Sequence, residues 1–237
     1  YFDGNIIDKS NLINQNATLE YVGFENATEY VFTSVYEYAT ENDTYVSGII
    51  STNIAQALDS IELYVSNSTG DDKKGNGSEN NPFKSISKAL SEGYKKSTNI
   101  TVHVLEGNYT GEFNTNLRIP TTVDVLLVGE GADKVIISDS EADYFITALA
   151  GNAKLTLANV TLNRAARDTQ SAIYVEEGAN VEINNVNFIG GQGNYGGAIN
   201  TAGTLVINNS YFNDNGYVDF AKRANAYYGG AIYNDGV

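Results

Sequence analysis

Three stretches of this chain are near-copies of one another: KLTLANVTL (154–162), NVEINNVNF (180–188) and TLVINNSYF (204–212), offset by 26 and then 24 residues with no gap. Apolar residues match down each column: Leu155, Val181, Leu205; Leu157, Ile183, Ile207; Leu162, Phe188, Phe212. Within each copy they alternate with polar residues, the pattern of a strand whose side chains face opposite ways. A period in the twenties built from strands is the signature of a β-solenoid. One copy has nothing to bury its apolar column against except the next copy, so the copies must stack. A second block recurs in step, SAIYVEEG (171–178), GGAINTAG (196–203) and GGAIYNDG (229–236), and supplies each coil with a further strand.

Asparagine aligns as well, at Asn159, Asn185 and Asn209. Where a coil turns from one strand into the next, backbone groups lack ladder partners. A stacked amide can bond to its own coil and to the amide one coil along. The expectation is an inward-pointing ladder at equivalent corners, structural rather than ligand-binding.

Upstream, IELYVS (61–66) reads as a strand and SNSTGDDKKGNGSENNP (66–82) as turn chemistry. Phe83, Ile86, Ala89 and Leu90 fall at helical spacing, which predicts a helix over 83–92 ended by Gly93. Its apolar side should close the open end of the stack, where a strand edge would otherwise be bare. The runs ITVHVLEG (100–107), LRIP (117–120), VDVLLVGEG (123–131), KVIISDS (134–140) and YFITALAG (144–151) are short and valine- and isoleucine-rich, as buried parallel strands are. A break is read at Asn108. Residues 1–60 lack the repeat and hold β-prone runs at 19–24, 30–38 and 44–50, then a candidate short helix at 52–61 with Thr52 as N-cap. The organisation expected is a β-rich region of unknown type over 1–60 and an all-β, right-handed parallel β-helix over 61–237.

A net charge of −15 disfavours nucleic acid and anionic membranes, and favours cations, neutral glycans or basic protein patches as partners. No apolar run approaches the roughly 20 residues of a membrane helix. The chain contains no Met and breaks off where a new coil should begin, so a longer parent protein is expected. Nine N-x-S/T sequons occur: Asn16, Asn26, Asn42, Asn67, Asn76, Asn99, Asn108 and Asn208 are glycosylation candidates, whereas Asn159 is assigned to the ladder.

The run YVSNSTGDDKKGNGSENNPFKSISKAL, followed by ITVHVLEGNYTGE, VLLVGEGADKVII and the repeated N-x-x-F coils, resembles the right-handed parallel β-helices of the pectate-lyase-like superfamily. Within it the chain is most similar to adhesin-like surface proteins of methanogenic archaea. The resemblance spans about 62–237 and implies three strands per coil, extracellular display, and adhesion to glycans or to surface proteins of another cell or a host. It also implies an alternative, a polysaccharide lyase or glycoside hydrolase, since enzymes share the fold.

Such enzymes need carboxylates and a base gathered on one face. The outward columns here (Lys154, Asn180, Thr204; Thr156, Glu182, Val206; Ala158, Asn184, Asn208; Thr161, Asn187, Tyr211) stack no such set, and His103, between valines, is read as a packed or surface residue rather than a catalyst. No catalytic residue is assigned and no cofactor is required. Asp71, Asp72 and Asn76 give an oxygen-rich loop and a candidate calcium site. The better lead is an insertion. Asn159 to Ala172 and Asn185 to Ala198 each span 13 residues, but Asn209 to Ala231 spans 22. The extra residues lie within 213–230, and Tyr217, Asp219, Arg223, Tyr227 and Tyr228 are the candidate ligand-binding residues, since insertions in solenoids map to loops on the binding face.

Overall fold

The computed structural model describes residues 31–39 and 45–53 by their backbone, together with 60–138, 144–167, 170–216 and 228–236. The chain divides into two compact units, Tyr1–Asp59 and Ser60–Val237. In the first, β1 (Val31–Ala39) and β2 (Tyr45–Asn53) pair antiparallel, with Val35 opposite Ile49. This corrects both ends of the helix expected at 52–61, since Thr52 and Asn53 belong to β2 and Ile61 to a later strand, while 54–59 lie outside the described residues. Thr52 pairs with Phe32 in β2, so the strand's ladder consumes the residue assigned as N-cap.

The second unit is a right-handed parallel β-helix. Its strands are β3 (Ile61–Val65), β4 (Asn99–Val104), β5 (Gly107–Thr110), β6 (Leu117–Ile119), β7 (Asp124–Gly129), β8 (Val135–Ser138), β9 (Ile146–Ala148), β10 (Lys154–Ala158), β11 (Thr161–Arg167), β12 (Ile173–Val175), β13 (Asn180–Asn184), β14 (Asn187–Gly191), β15 (Ile199–Thr201), β16 (Thr204–Asn208), β17 (Tyr211–Asn213) and β18 (Ile232–Asn234). From β4 onward every third strand joins the same sheet. The first face is β3-β4-β7-β10-β13-β16, the second β5-β8-β11-β14-β17, and the third β6-β9-β12-β15-β18.

The registers are those the repeat predicts, with Leu155 beside Val181 and Leu205, and Leu162 beside Phe188 and Phe212. Val102, Leu127, Leu157 and Ile183 line the first face from inside, Tyr109, Ile137, Leu162 and Phe188 the second, and Leu117, Ile146, Ile173 and Ile199 the third. All are buried, and the Phe188 and Phe212 rings stack at 4.8 Å. The break expected at Asn108 is instead the middle of β5. Gly107 admits the Asn67 side chain, whose Oδ1 would lie 2.3 Å from any Cβ there, and Tyr109 turns inward to bond the Leu105 carbonyl at 2.8 Å.

The asparagine corners differ from the expectation in orientation. Asn159, Asn185 and Asn209 all have left-handed backbone, φ 56°, 53° and 49°, and Asn185 and Asn209 are exposed. One rung of the ladder is formed, the Asn185 amide donating to Asn159 Oδ1 at 2.8 Å, and it runs along the outside of the corner. The reason for asparagine is therefore mainly conformational. A left-handed residue turns the chain from the first face to the second, and Asn tolerates that region better than other chiral residues. Asn185→Ala should cost roughly 1–2 kcal/mol in chemical denaturation, while Asn185→Gly, free at positive φ, should cost clearly less. Equal losses for both would assign the effect to the amide ladder alone.

The helix α1 spans Ile86–Tyr94, later by about one turn than the 83–92 expected. Phe83 lies outside it, in a parallel bridge to Val65. Gly93 does not stop the helix but lets it approach β4, because a Cβ there would stand 2.9 Å from Ile100. Ser85 is the N-cap, accepting from the Lys88 N–H at 3.3 Å. Phe83, Ile86, Ala89 and Leu90 are buried as expected. Tyr94 Oη reaches the Arg118 carbonyl at 2.9 Å, and Ile86 N–H donates to Asn114 Oδ1 at 3.1 Å, which pins the helix across the first coil. The preceding loop blocks the bare edge of β3: Tyr64 N–H donates to the Gly77 carbonyl, Phe83 N–H to the Tyr64 carbonyl, and Ser66 N–H to the Phe83 carbonyl, at 2.8, 2.9 and 2.9 Å.

Candidate functional site

The third face carries the most distinctive outer surface. The column that alternation sets outward is Arg118, Thr147, Tyr174, Asn200 and Tyr233, one residue per coil, of which Thr147 is buried. Beside it, Tyr195 and Tyr228 occupy equivalent places before β15 and β18 and are joined by a parallel bridge. Each is followed by a glycine with left-handed backbone, Gly196 (φ 65°) and Gly229 (φ 67°). A Cβ at either would lie within 2.2 Å of a backbone oxygen, that of Ile199 or Ile232, so only glycine makes the turn that seats the tyrosine beside the sheet. The Tyr195 and Tyr228 rings stack at 5.5 Å, 10° from parallel, and Tyr233 meets Tyr195 edge-on at 5.1 Å. Both Tyr195 (45%) and Tyr228 (48%) are substantially exposed. A second stacked pair, Tyr144 and Tyr174 at 5.2 Å, lies further back along the same face.

Partial burial, then the nearby Asp235 carboxylate and the two neighbouring phenols, push the Tyr233 hydroxyl above its ordinary range. The group therefore stays a neutral donor and acceptor across physiological pH. The cluster offers flat apolar rings with polar rims, the type of surface that anchors recognition.

Of the expected ligand-binding residues, Tyr228 belongs to this cluster. Tyr217, Asp219, Arg223 and Tyr227 lie outside the described residues. Tyr174, Tyr195 and Tyr233 were missed by the sequence reading, although a signal was present: NYGGAIN (194–200) and YYGGAIYN (227–234) repeat the tyrosine along with the glycines.

The oxygen-rich loop before α1 is occupied by its own backbone. Asp71 Oδ1 accepts from the Lys73 and Lys74 N–H groups at 2.8 and 3.0 Å, which holds its carboxyl below the ordinary range. Asp72 Oδ1 accepts from Lys84 N–H at 2.7 Å and Ser85 N–H at 3.0 Å, and its Oδ2 from Ser85 Oγ at 2.7 Å. Asn76 Oδ1 accepts from Ser78 N–H at 3.0 Å. These contacts build the cap. Among the described residues no three His, Asp or Glu side chains gather as a metal-ligand set. His103 packs on the outside of the first face, stacked on Tyr64 at 4.6 Å with Nε2 3.4 Å from Glu62.

Of the sequons, Asn76, Asn99, Asn108 and Asn208 are exposed. Asn208 donates its amide to Asn184 Oδ1 at 3.0 Å, and the half-buried Asn67 donates its own to the Asn108 carbonyl at 2.5 Å. Asn16, Asn26 and Asn42 lie outside the described residues. No sequon of the chain falls in a third-face strand or in the segments leading into one.

Sequence reading also passed over Arg164, only 1% exposed, whose guanidinium lies 5.1 Å from the Phe145 ring centre. Continuing the strand alternation past Leu162 would have turned it inward. No protein-family model, curated protein or solved structure matches this chain.

Proposed function

We propose that this chain is a non-catalytic, adhesin-like segment of an exported cell-surface protein, a stalk that presents a binding face to glycans or surface proteins of another cell or a host. The observation that supports the reading is the exposed, stacked pair Tyr195 and Tyr228, with the half-buried Tyr233 edge-on to Tyr195, on a regular face of the solenoid. Large aromatic rings left exposed at low entropic cost are recognition anchors more often than accidents of packing. A stack hydrogen-bonded along its whole axis suits a stalk, because each coil is held by its neighbours. The net charge of −15 favours neutral or basic partners.

The test is adhesion of beads coated with the chain to surfaces bearing neutral polysaccharide or bearing cell-surface protein, under flow. Tyr195→Ala/Tyr228→Ala should lower adhesion at least about tenfold while leaving the circular dichroism spectrum unchanged. Undiminished adhesion of that variant, or turnover of polysaccharide by the unaltered chain in a lyase or hydrolase assay, would reject the reading.

A further inference from the structure

Past its first coil the third face carries rings and carboxylates but no basic side chain. The strands β9, β12, β15 and β18, with the described residues leading into and out of them (144–151, 170–178, 194–203 and 228–236), contain Tyr144, Tyr174, Tyr195, Tyr228 and Tyr233, the acids Glu176, Glu177 and Asp235, and no Lys, Arg or His. Glu177 and Asp235 are exposed, and Asp235 stands two residues past Tyr233. Tyr195 and Tyr228 lie in adjacent coils, nearly parallel, each with close to half of its surface open to solvent. The π face of a tyrosine is electron-rich and attracts cations. Of the two basic side chains, arginine presents a planar, weakly hydrated guanidinium that stacks on such a face, whereas the ammonium of lysine holds its water.

We infer that the third face docks an arginine-bearing segment of a partner protein, a guanidinium lying flat on the Tyr195–Tyr228 stack and a neighbouring basic side chain pairing with Asp235. Charge selects this occupant. The chain as a whole carries −15, and a second copy applied to this face would set acid against acid. A basic segment instead meets Glu177 just past β12 and Asp235 just past β18. Ion pairs at such exposed positions are screened by solvent and hold little by themselves. The carboxylates therefore supply attraction at a distance, and the stacked guanidinium supplies the selectivity. The inference rests on the adhesive reading above and narrows its partner to a basic protein surface.

The experiment is fluorescence anisotropy with the whole chain and labelled peptides of one glycine–serine spacing that bear arginine, lysine or citrulline, the last an uncharged mimic of arginine, at physiological salt. The arginine peptide should bind at least about threefold tighter than the lysine peptide and at least about tenfold tighter than the citrulline one. Tyr195→Leu/Tyr228→Leu should erase the preference for arginine over lysine. Tyr195→Phe/Tyr228→Phe, which keeps the rings, should retain it, and Asp235→Asn should weaken both basic peptides alike. Equal binding of the arginine and lysine peptides, or a preference that survives the leucine variant or is lost in the phenylalanine one, overturns the docking site. Absence of binding to both basic peptides overturns the class of partner, and the adhesive reading then stands or falls separately on whether surfaces bearing neutral polysaccharide are held through the same tyrosines.

Discussion

Leu90→Asp should destabilise the β-helix unit by roughly 4–5 kcal/mol and make it aggregate more than the unaltered chain does. Leu90 is 2% exposed, on the side of α1 that also buries Ile86, Ala89 and Gly93. The substitution removes a core side chain and leaves a carboxylate among apolar neighbours. A helix that lifts away uncovers the interior of the first coil. Light scattering and denaturant unfolding against Leu90→Met, which keeps volume and apolarity, are the measurement. An aspartate variant that aggregates no more than the methionine one, and is as stable, would show that α1 does not cover the stack.

Gly197→Ala carries the second large effect. A Cβ at Gly197 would lie 2.3 Å from the Gly191 oxygen and 2.4 Å from the Gly216 nitrogen. Those two atoms are themselves bonded, Gly216 N–H donating to the Gly191 carbonyl at 2.7 Å, so the methyl would occupy the hydrogen bond that ties one coil to the next. No flexible side chain can move aside, because both contacts are backbone. The expected loss is about 3–5 kcal/mol, combining overpacking with a broken buried bond. Gly230→Ala is the internal control: nothing lies within 4 Å of a Cβ there, and its thermal unfolding midpoint should stay within about a degree or two of the unaltered chain. A similar drop for both variants would overturn the close-approach account, since alanine for glycine acts through the unfolded chain in the opposite, stabilising direction.

The repeat made the stack readable because apolar alternation and coil period are both properties of neighbouring residues. Leu155, Val181 and Leu205 declare their common column without any knowledge of the third dimension. What alternation does not carry is backbone handedness. Asn185 aligned with Asn159 and Asn209, but that it turns outward in a left-handed corner follows from the angle between two faces. Gly93 looked like a stop signal for the same reason: its role is set by Ile100, seven residues on and in another element. At the candidate site, Tyr228 entered through the length of the insertion, whereas Tyr195 and Tyr174 required knowing which strand lies beside which. The tyrosine repeat in YGGAI was visible, but only stacking gives it meaning as a surface.

The blocked edge of β3 gives the molecule a direction. Gly77 and Phe83 occupy the hydrogen-bonding groups that an earlier coil would use, so this rim can neither accept a stray strand nor serve as a starting point in reverse. The opposite edge of β3 is a finished template for β4, and each completed coil in turn presents the template for its successor. Whichever coil orders first, the stack can be extended past β3 in one direction only, away from the blocked rim. A chain that emerges amino terminus first can settle coil by coil while its remainder is still unfolded, and its length can change by whole coils without disturbing what has already formed.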